Sequence, residues 1–532
     1  MQKIVSLKLL PEEANDETRL KEIIASTSGL SPEDVTGWVI TKQSIDARSK
    51  TVWINISLTA FVNEPFQKRV LQQFSFKEVS EKSKKVVIVG GGPAGLFAAL
   101  FLLEQGIKPI ILERGKDVRA RRRDLADLNK HGIVNHESNY CFGEGGAGTY
   151  SDGKLYTRSN KRGDIERILN LFVYFGADEK ILYQAHPHIG TNKLPQIITS
   201  MRETILARNG EFLFNKKVVD LKLDSGKIES ILTSDGESYS GDGYILATGH
   251  SAGDIYELLH RKNIAIVSKP FALGVRIEHP QSIIDDLQYY GGSRNILPPA
   301  SYSLVQQVDG KGVFSFCMCP GGIIAPASSS NGELVVNGWS PSKRNNPFAN
   351  SGIVVQVEQK DAFNYLKKKG ETKDVNDPLL LFHFQKKIEA LAYYAGGGGF
   401  VAPAQRMVDF VNKKESADLP KNSYLPGLRS VELRTVLPPF ISSRLAEAFT
   451  MFDKKMPARS NGKGYFTNEA VIVGVESRTS SSIKIPRLDF ELCHPEVSNF
   501  YPCGEGAGYA GGIVSAAMDG ERIAAKISTL IS

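Results

Sequence analysis

Residues 85–113 constrain this chain more than any other stretch. Lys85-Val86-Val87-Ile88-Val89 is followed by Gly90-Gly91-Gly92-Pro93-Ala94-Gly95, then by the apolar residues Leu96–Leu103, then by Pro109-Ile110-Ile111-Leu112 and Glu113. Two short apolar runs separated by a Gly-x-Gly-x-x-Gly turn and a helix-length segment predict a βαβ unit. The acid stands eighteen residues after Gly95, close to the ~20 of a dinucleotide-binding fingerprint. Gly90 allows the tight turn, Gly92 lets the backbone approach a pyrophosphate, and Gly95 lets helix and strand pack closely. Pro93 and Ala94 open the helix, whose free N–H groups and positive dipole end suit phosphates. Glu113 can accept hydrogen bonds from ribose hydroxyls, and its charge repels a 2′-phosphate. FAD or NAD therefore fits this site and NADP does not.

Two later segments favour FAD. Tyr244-Ile245-Leu246-Ala247-Thr248-Gly249 is an apolar strand ending in the Ala-Thr-Gly signature of flavoproteins, and Phe500–Gly506 followed by Gly511–Ala517 is like a closing FAD motif. There Gly504 and Glu505 are expected at the ribityl hydroxyls, and Gly512 and Ile513 at a helix N-terminus facing the flavin. The glycine-rich run Gly145-Gly146-Ala147-Gly148 is expected to wrap the pyrophosphate and ribityl side. Val218, at the start of an apolar run, is expected to pair its backbone with the adenine. Arg114 beside Glu113, and Arg121 from the basic cluster Arg119–Arg123, complete the expected cofactor contacts. For that cluster a solvated helix face is the competing reading. A second dinucleotide unit is not expected, because Gly396–Gly399 follows a helical pattern rather than a strand.

The 532 residues suggest about three domains and include 49 Gly, 5 Cys and 9 His, with a net charge of +7. Hydrophobic and charged fractions of 41% and 23% are those of a globular protein. Five cysteines suit a reducing cytoplasm better than a disulfide scaffold. Val86–Leu103 is eighteen residues without a charge, but its glycines and proline oppose a membrane helix. The excess of positive charge is mild and lacks interleaved aromatics, so nucleic acid is a rival reading without support.

The expected fold class is α/β. A discontinuous Rossmann-like FAD-binding domain (84–262 and 491–532) carries an inserted mixed α+β domain (263–490). Residues 1–78 form a small α+β ferredoxin-like module. In that module Val52, Ile54, Ile56 and Leu58 keep period two and predict a strand. Ser31-Pro32-Glu33-Asp34 reads as a helix start.

Across nearly its whole length the chain resembles a family of FAD-dependent dehydrogenases with a glutathione-reductase-like FAD fold. The carrying residues are Ser44–Arg48, Phe142–Leu155, His186–Thr191 and the segments at 269–279, 317–322, 476–481 and 504–520. The resemblance implies the three-part architecture and FAD, and it implies no particular substrate.

The expected activity is hydride transfer between the flavin and a small organic substrate, with NAD(P)H docking transiently at most. The rivals are a flavoprotein acting on RNA and an electron relay whose N-terminal module docks a protein partner. Arg276, His279, Glu476 and Arg478 are candidates for lining a polar cavity, with a structural ion-pair network as the alternative. No catalytic acid or base is assigned. Lys154 is read as reaching the flavin or a substrate anion, or as a surface salt bridge. Cys317-x-Cys319 admits a redox reading, but buried apolar thiols beside a glycine turn are the default. His186-x-His188 and the cysteines lack metal-ligand spacing, so no metal is expected.

Overall fold

The computed structural model describes residues 1–157, 163–291, 296–372, 374–459 and 462–531. At its centre lies a five-stranded parallel sheet in the spatial order Phe500–Pro502, Gly243–Leu246, Lys85–Val89, Lys108–Leu112, Glu211–Leu213. Counted along the chain this is the doubly wound order, with the fingerprint strand at the reversal point. Both faces of such a sheet are covered, so its strands show continuous apolar runs. Every residue of Lys108–Leu112 is buried.

The apolar stretch that could be mistaken for a membrane span is strand, turn and the helix Pro93–Gln105. Among the described residues no helix is long and apolar enough to cross a membrane. The terminal helix Ile513–Ile531 lies directly on Pro93–Gln105. A Cβ at Gly520 would stand 2.1 Å from the Ala94 carbonyl oxygen, so only glycine permits this approach.

A second, seven-stranded sheet is drawn from residues 271–476. Its order is Val305–Val308, Lys311–Cys319, Phe348–Val357, Phe271–Pro280, Val471–Glu476, Ala402–Arg406, Leu428–Ser430. Strand alternation divides the residues of its central strand between two faces. Leu273, Val275 and Ile277 enter a core shared with the helices Leu380–Gly396 and Pro439–Lys455. Arg276 and Glu278 point the other way and bond Asn337 and Ser423.

In the N-terminal module the strands Gln2–Leu9 and Val35–Asp46 both pair antiparallel with Trp53–Val62, which lies between them. The first two therefore run parallel and are joined through the helix Glu17–Ser28, the split βαβ of ferredoxin-like folds. Ser31–Asp34 departs from its helix-start reading. Pro32–Asp34 is a single 3₁₀ turn, and Val35 already pairs with Val62 in the sheet.

The Gly520–Ala94 contact sets a measurable requirement. Gly520→Val should lower the unfolding free energy by about 3 kcal/mol, as overpacking against backbone does. Urea denaturation of the purified variant checks this.

Candidate functional site

Three turns converge at the carboxyl ends of the central parallel strands. Gly90 has φ +108°, and a Cβ there would lie 2.4 Å from the Ala247 carbonyl oxygen. A Cβ at Gly506 would lie 2.3 Å from the Gly249 oxygen. Gly504, at φ +73°, donates its N–H to Asp519 over 2.8 Å, and Arg487 holds that carboxylate at 2.6 Å. Over the first turn lies the loop 143–149, whose Gly145 N–H donates to Gly91 O at 2.9 Å.

Gly92 is in ordinary extended backbone, and a Cβ there would meet only Gly146 Cα, at 3.8 Å. Gly249, Gly511 and Gly512 have nothing within 4 Å of where a Cβ would stand. Gly148 abuts both Pro93 and Ile513. Glycines and two helix N-termini thus border an open trough. That is a cradle for a pyrophosphate and the chain beyond it.

Glu113 fastens this arrangement. Only 4% exposed, its carboxylate accepts backbone N–H bonds from Gly91 at 2.8 Å and from Gly115 and Gly143 at 2.9 Å each. Lys216 N–H donates to the Glu113 carbonyl at 2.9 Å, which brings the head of the strand Val218–Asp224 alongside. The backbone of Val218 pairs with Thr233. Glu505 lies 3.4 Å from the His250 ring just past Thr248-Gly249.

Two arginines are placed otherwise than the sequence suggests. Arg121 has no exposed surface and donates to the carbonyls of Asn139 and Glu144 at 2.8 Å and of Tyr140 at 3.1 Å. A guanidinium sealed in this way braces the loop 139–149 and cannot reach a phosphate. Arg114 is held by Glu137 at 2.5 Å and Asp254 at 2.9 Å and lies over the Phe142 ring. Its charge is already met by two carboxylates.

Beside the trough, a small cleft with a cavity volume of about 50 Å³ lies between the two large sheets. One wall comes from Ala147, Tyr150, Ser151, His250 and Ser251, the other from Ala325, Ala327, Val335–Trp339, Glu476 and Arg478, with Tyr140 and Cys141 between them. Of the four polar candidates, Glu476 and Arg478 line this cleft. Arg276 stands behind it, fully buried, 2.7 Å from Glu476. His279 lies apart: its Nε2 meets Tyr465 O at 2.8 Å and its ring packs on that tyrosine. Arg478 is secured by Glu389 at 2.8 Å and Glu333 at 3.2 Å. Glu476 and Arg478 thus belong both to the ion-pair network and to the cleft lining.

Lys154 pairs with Asp152 and turns its ammonium to the cysteine pair. Its ammonium lies 3.8 Å and 3.9 Å from the sulfurs of Cys317 and Cys319, donates to Met318 O, and lies 3.6 Å from Asp152. The cysteine pair is therefore not apolar in its surroundings. Tyr150 and Ser151 were within reach of sequence reading, since they belong to the run 142–155. Asn337 and Trp339 were not, since nothing in a short hairpin strand marks them. Among the described residues no cluster of His, Cys, Asp and Glu could hold a metal ion.

Comparison with known proteins agrees with this geometry. Residues 83–125 match an FAD binding domain, residues 270–479 match the FAD-dependent protein C-terminal domain-like family, and residues 1–61 match a domain of unknown function. The glycine trough fits the cofactor those matches imply. The chain binds FAD and is a flavoprotein. A protein of Clostridium beijerinckii described as uncharacterized is 39% identical over 530 residues, covering 96% of this chain and 95% of that one. The chain belongs to the same family of FAD-dependent proteins.

Distant likenesses among solved structures include a glycine oxidase from Bacillus cereus, at 13% identity over 85% of this chain and 96% of that one with a TM-score of 0.32. A 2,6-dihydroxypyridine-3-hydroxylase from Arthrobacter nicotinovorans is 11% identical over 85% of each chain, with a TM-score of 0.35. Nothing about activity is carried over from either.

The open space at Gly92 separates folding from binding. Gly92→Val should leave thermal stability within about 1 kcal/mol of the parent while the purified protein loses its flavin absorbance. Gly90→Val, forced against Ala247, should cost both. Calorimetry and the visible spectrum of the two variants decide.

Proposed function

We propose that the chain catalyses hydride transfer between its flavin and a diffusible small organic substrate held in the cleft between the two large sheets. The observation that carries this reading is the cleft itself, bounded jointly by the cofactor loops and by Glu476 and Arg478. FAD, when bound, supplies the two-electron chemistry, and the protein orients and tunes it. Gly92, Gly145–Gly148, Thr248, Gly249, Gly504, Glu505 and Gly512 would hold it, with Glu113 and Val218 on the adenosine side. The N-terminus of the helix at Ile513 brings a positive dipole end to the trough, where negative charge would develop.

On the substrate side, Ala325, Ala327, Val335 and Val336 exclude water from one wall. Arg276 fixes the Glu476 carboxyl, and Glu389 and Glu333 fix the Arg478 guanidinium, so both polar groups enter the cleft already oriented. Burial pushes the Glu476 carboxyl up to about 7, against the pull of Arg276. A carboxyl poised there can take or return a proton near neutral pH.

The test is anaerobic absorbance near ~450 nm after addition of NADH, NADPH or an oxidisable organic donor. Bleaching is expected with one of them. Ala327→Trp, which fills the cleft, should slow that bleaching at least about tenfold with FAD content unchanged. Equal rates in parent and variant would overturn the placement of the substrate.

Glu476 makes a separate prediction. The folded state holds its proton to higher pH than the unfolded chain does. This group's contribution to stability is therefore complete below about pH 4.5 and is lost as pH rises through about 7. Glu476→Gln should flatten both the stability and the turnover profile across that interval, as followed by denaturation and by steady-state rates.

A further inference from the structure

The dithiol at 317–319 belongs to neither the cofactor trough nor the cleft wall, and its surroundings are those of a reactive pair. Between Phe316 and Cys319 the strand Lys311–Cys319 shifts register against Phe348–Val357, and Cys317 takes φ +46°. That is a conformation non-glycine residues adopt under constraint and that gathers at functional sites. The shift brings both sulfurs to one cation: Lys154 Nζ lies 3.8 Å from Cys317 Sγ and 3.9 Å from Cys319 Sγ. A second cation, Arg276, lies 3.7 Å from Cys319 Sγ and donates to the Cys317 carbonyl at 2.7 Å. Cys317 is half-buried, while Cys319 has no exposed surface.

We propose that Cys317 and Cys319 are a redox-active dithiol site for a low-molecular-weight disulfide, with Cys317 as the attacking thiolate and Cys319 as the resolving thiol. The Cys317 sulfur attacks one sulfur of the external disulfide, forming a mixed disulfide and expelling one thiolate. Cys319 then attacks the Cys317 sulfur, closing an intramolecular disulfide and expelling the second thiolate. The protons of the two protein thiols end on the two leaving thiolates. The dithiol is oxidised by two electrons, and the external disulfide is reduced to two thiols.

The division of roles follows from exposure and charge. The neighbouring Cys319 thiol, then the charges of Lys154 and Arg276, hold the Cys317 thiol well below its ordinary range. Cys319 is pushed up by the neighbouring Cys317 and by burial. The other charged groups facing the pair are Asp152, which lies 2.7 Å from Arg344, and Glu476, at the end of the strand Val471–Glu476. Each weakens the effect of the two cations without cancelling it. The site stands whatever substrate the cleft takes.

The holoprotein serves for the test, and the tryptic peptide Gly312–Lys343 carries both cysteines and no other. Pulsed alkylation with iodoacetamide should label Cys317 at about pH 6 nearly as fast as at about pH 8, whereas an ordinary thiol of pKa about 8.5 slows by roughly two orders of magnitude. Lys154→Met should lower the rate at about pH 6 by about tenfold. Bis-hydroxyethyl disulfide should make the parent peptide lighter by two hydrogens. In Cys319→Ser it should leave one mercaptoethanol adduct on Cys317, and in Cys317→Ser none. Alkylation of the parent that falls with pH like an ordinary thiol would overturn the thiolate. A Cys319→Ser protein that never holds the adduct, or a parent peptide that never loses its two hydrogens, would overturn the relay.

Discussion

Three backbone N–H groups converge on the Glu113 carboxylate, and the rest of the cofactor site hangs on that convergence. The donors come from the fingerprint turn at Gly91, the turn leaving the second strand at Gly115 and the loop that opens at Gly143. Each is a charge-assisted bond in a buried place, the kind that contributes about 1.5–3 kcal/mol. With those ends tied, the loop 143–149 has one course, over the first turn and back to the helix at Pro93. Arg121 braces its carbonyls from one side. Glu144, fully buried, pins it from the other through Val118 N–H and Arg202, at 2.7 Å each. The open trough lies between the turns that these bonds fix.

Much of this was legible because it is local. The turn glycines, the acid eighteen residues on and the continuous apolar runs of buried parallel strands all lie within short reach along the chain. The period-two strand of the N-terminal module is equally local, and Ile54, Ile56 and Leu58 are all buried. Arg121 shows where local reading needs one more step. In the run Arg119–Arg123 charge alone cannot tell which arginine faces inward. On the helix Val118–His131, however, Arg121 shares a stripe with Leu125 and Leu128, at helical spacing, and all three are buried. The stripe, not the charge, marks it as a brace.

The cleft was legible only in part, because its walls are assembled from distant segments. Ala147 and His250 come from the cofactor half, Asn337 from the hairpin strand Val336–Trp339 and Arg478 from just past the strand Val471–Glu476. No spacing rule links them. The cysteine pair fails for the same reason. A C-x-C beside a glycine turn reads as apolar until Lys154 arrives from a loop more than 160 residues earlier in the chain. Of the four polar candidates, Glu476 and Arg478 line the cleft, while Arg276 stands behind it and His279 apart from it. The division of Arg276 and Glu476 into one residue behind the wall and one within it follows from strand alternation, which places Arg276 on the face away from the helices.

Arg276 then ties the two redox features together. A guanidinium has five N–H donors. Here they meet Asn350 at 2.8 Å, Glu476 at 2.7 Å, Asn337 at 3.3 Å, the Cys317 carbonyl at 2.7 Å and the Cys319 sulfur at 3.7 Å. Gly338 lies flat against the group, where a Cβ would stand 2.4 Å from Nη2, so the cation has no room to move aside. With no exposed surface, Arg276 cannot replace a lost partner with water. A change of charge or geometry at the sulfurs must be taken up by the remaining acceptors, and two of those, Glu476 and Asn337, face the cleft. The central strand of the seven-stranded sheet thus holds, through one guanidinium, both the dithiol and the polar wall against which a substrate would lie.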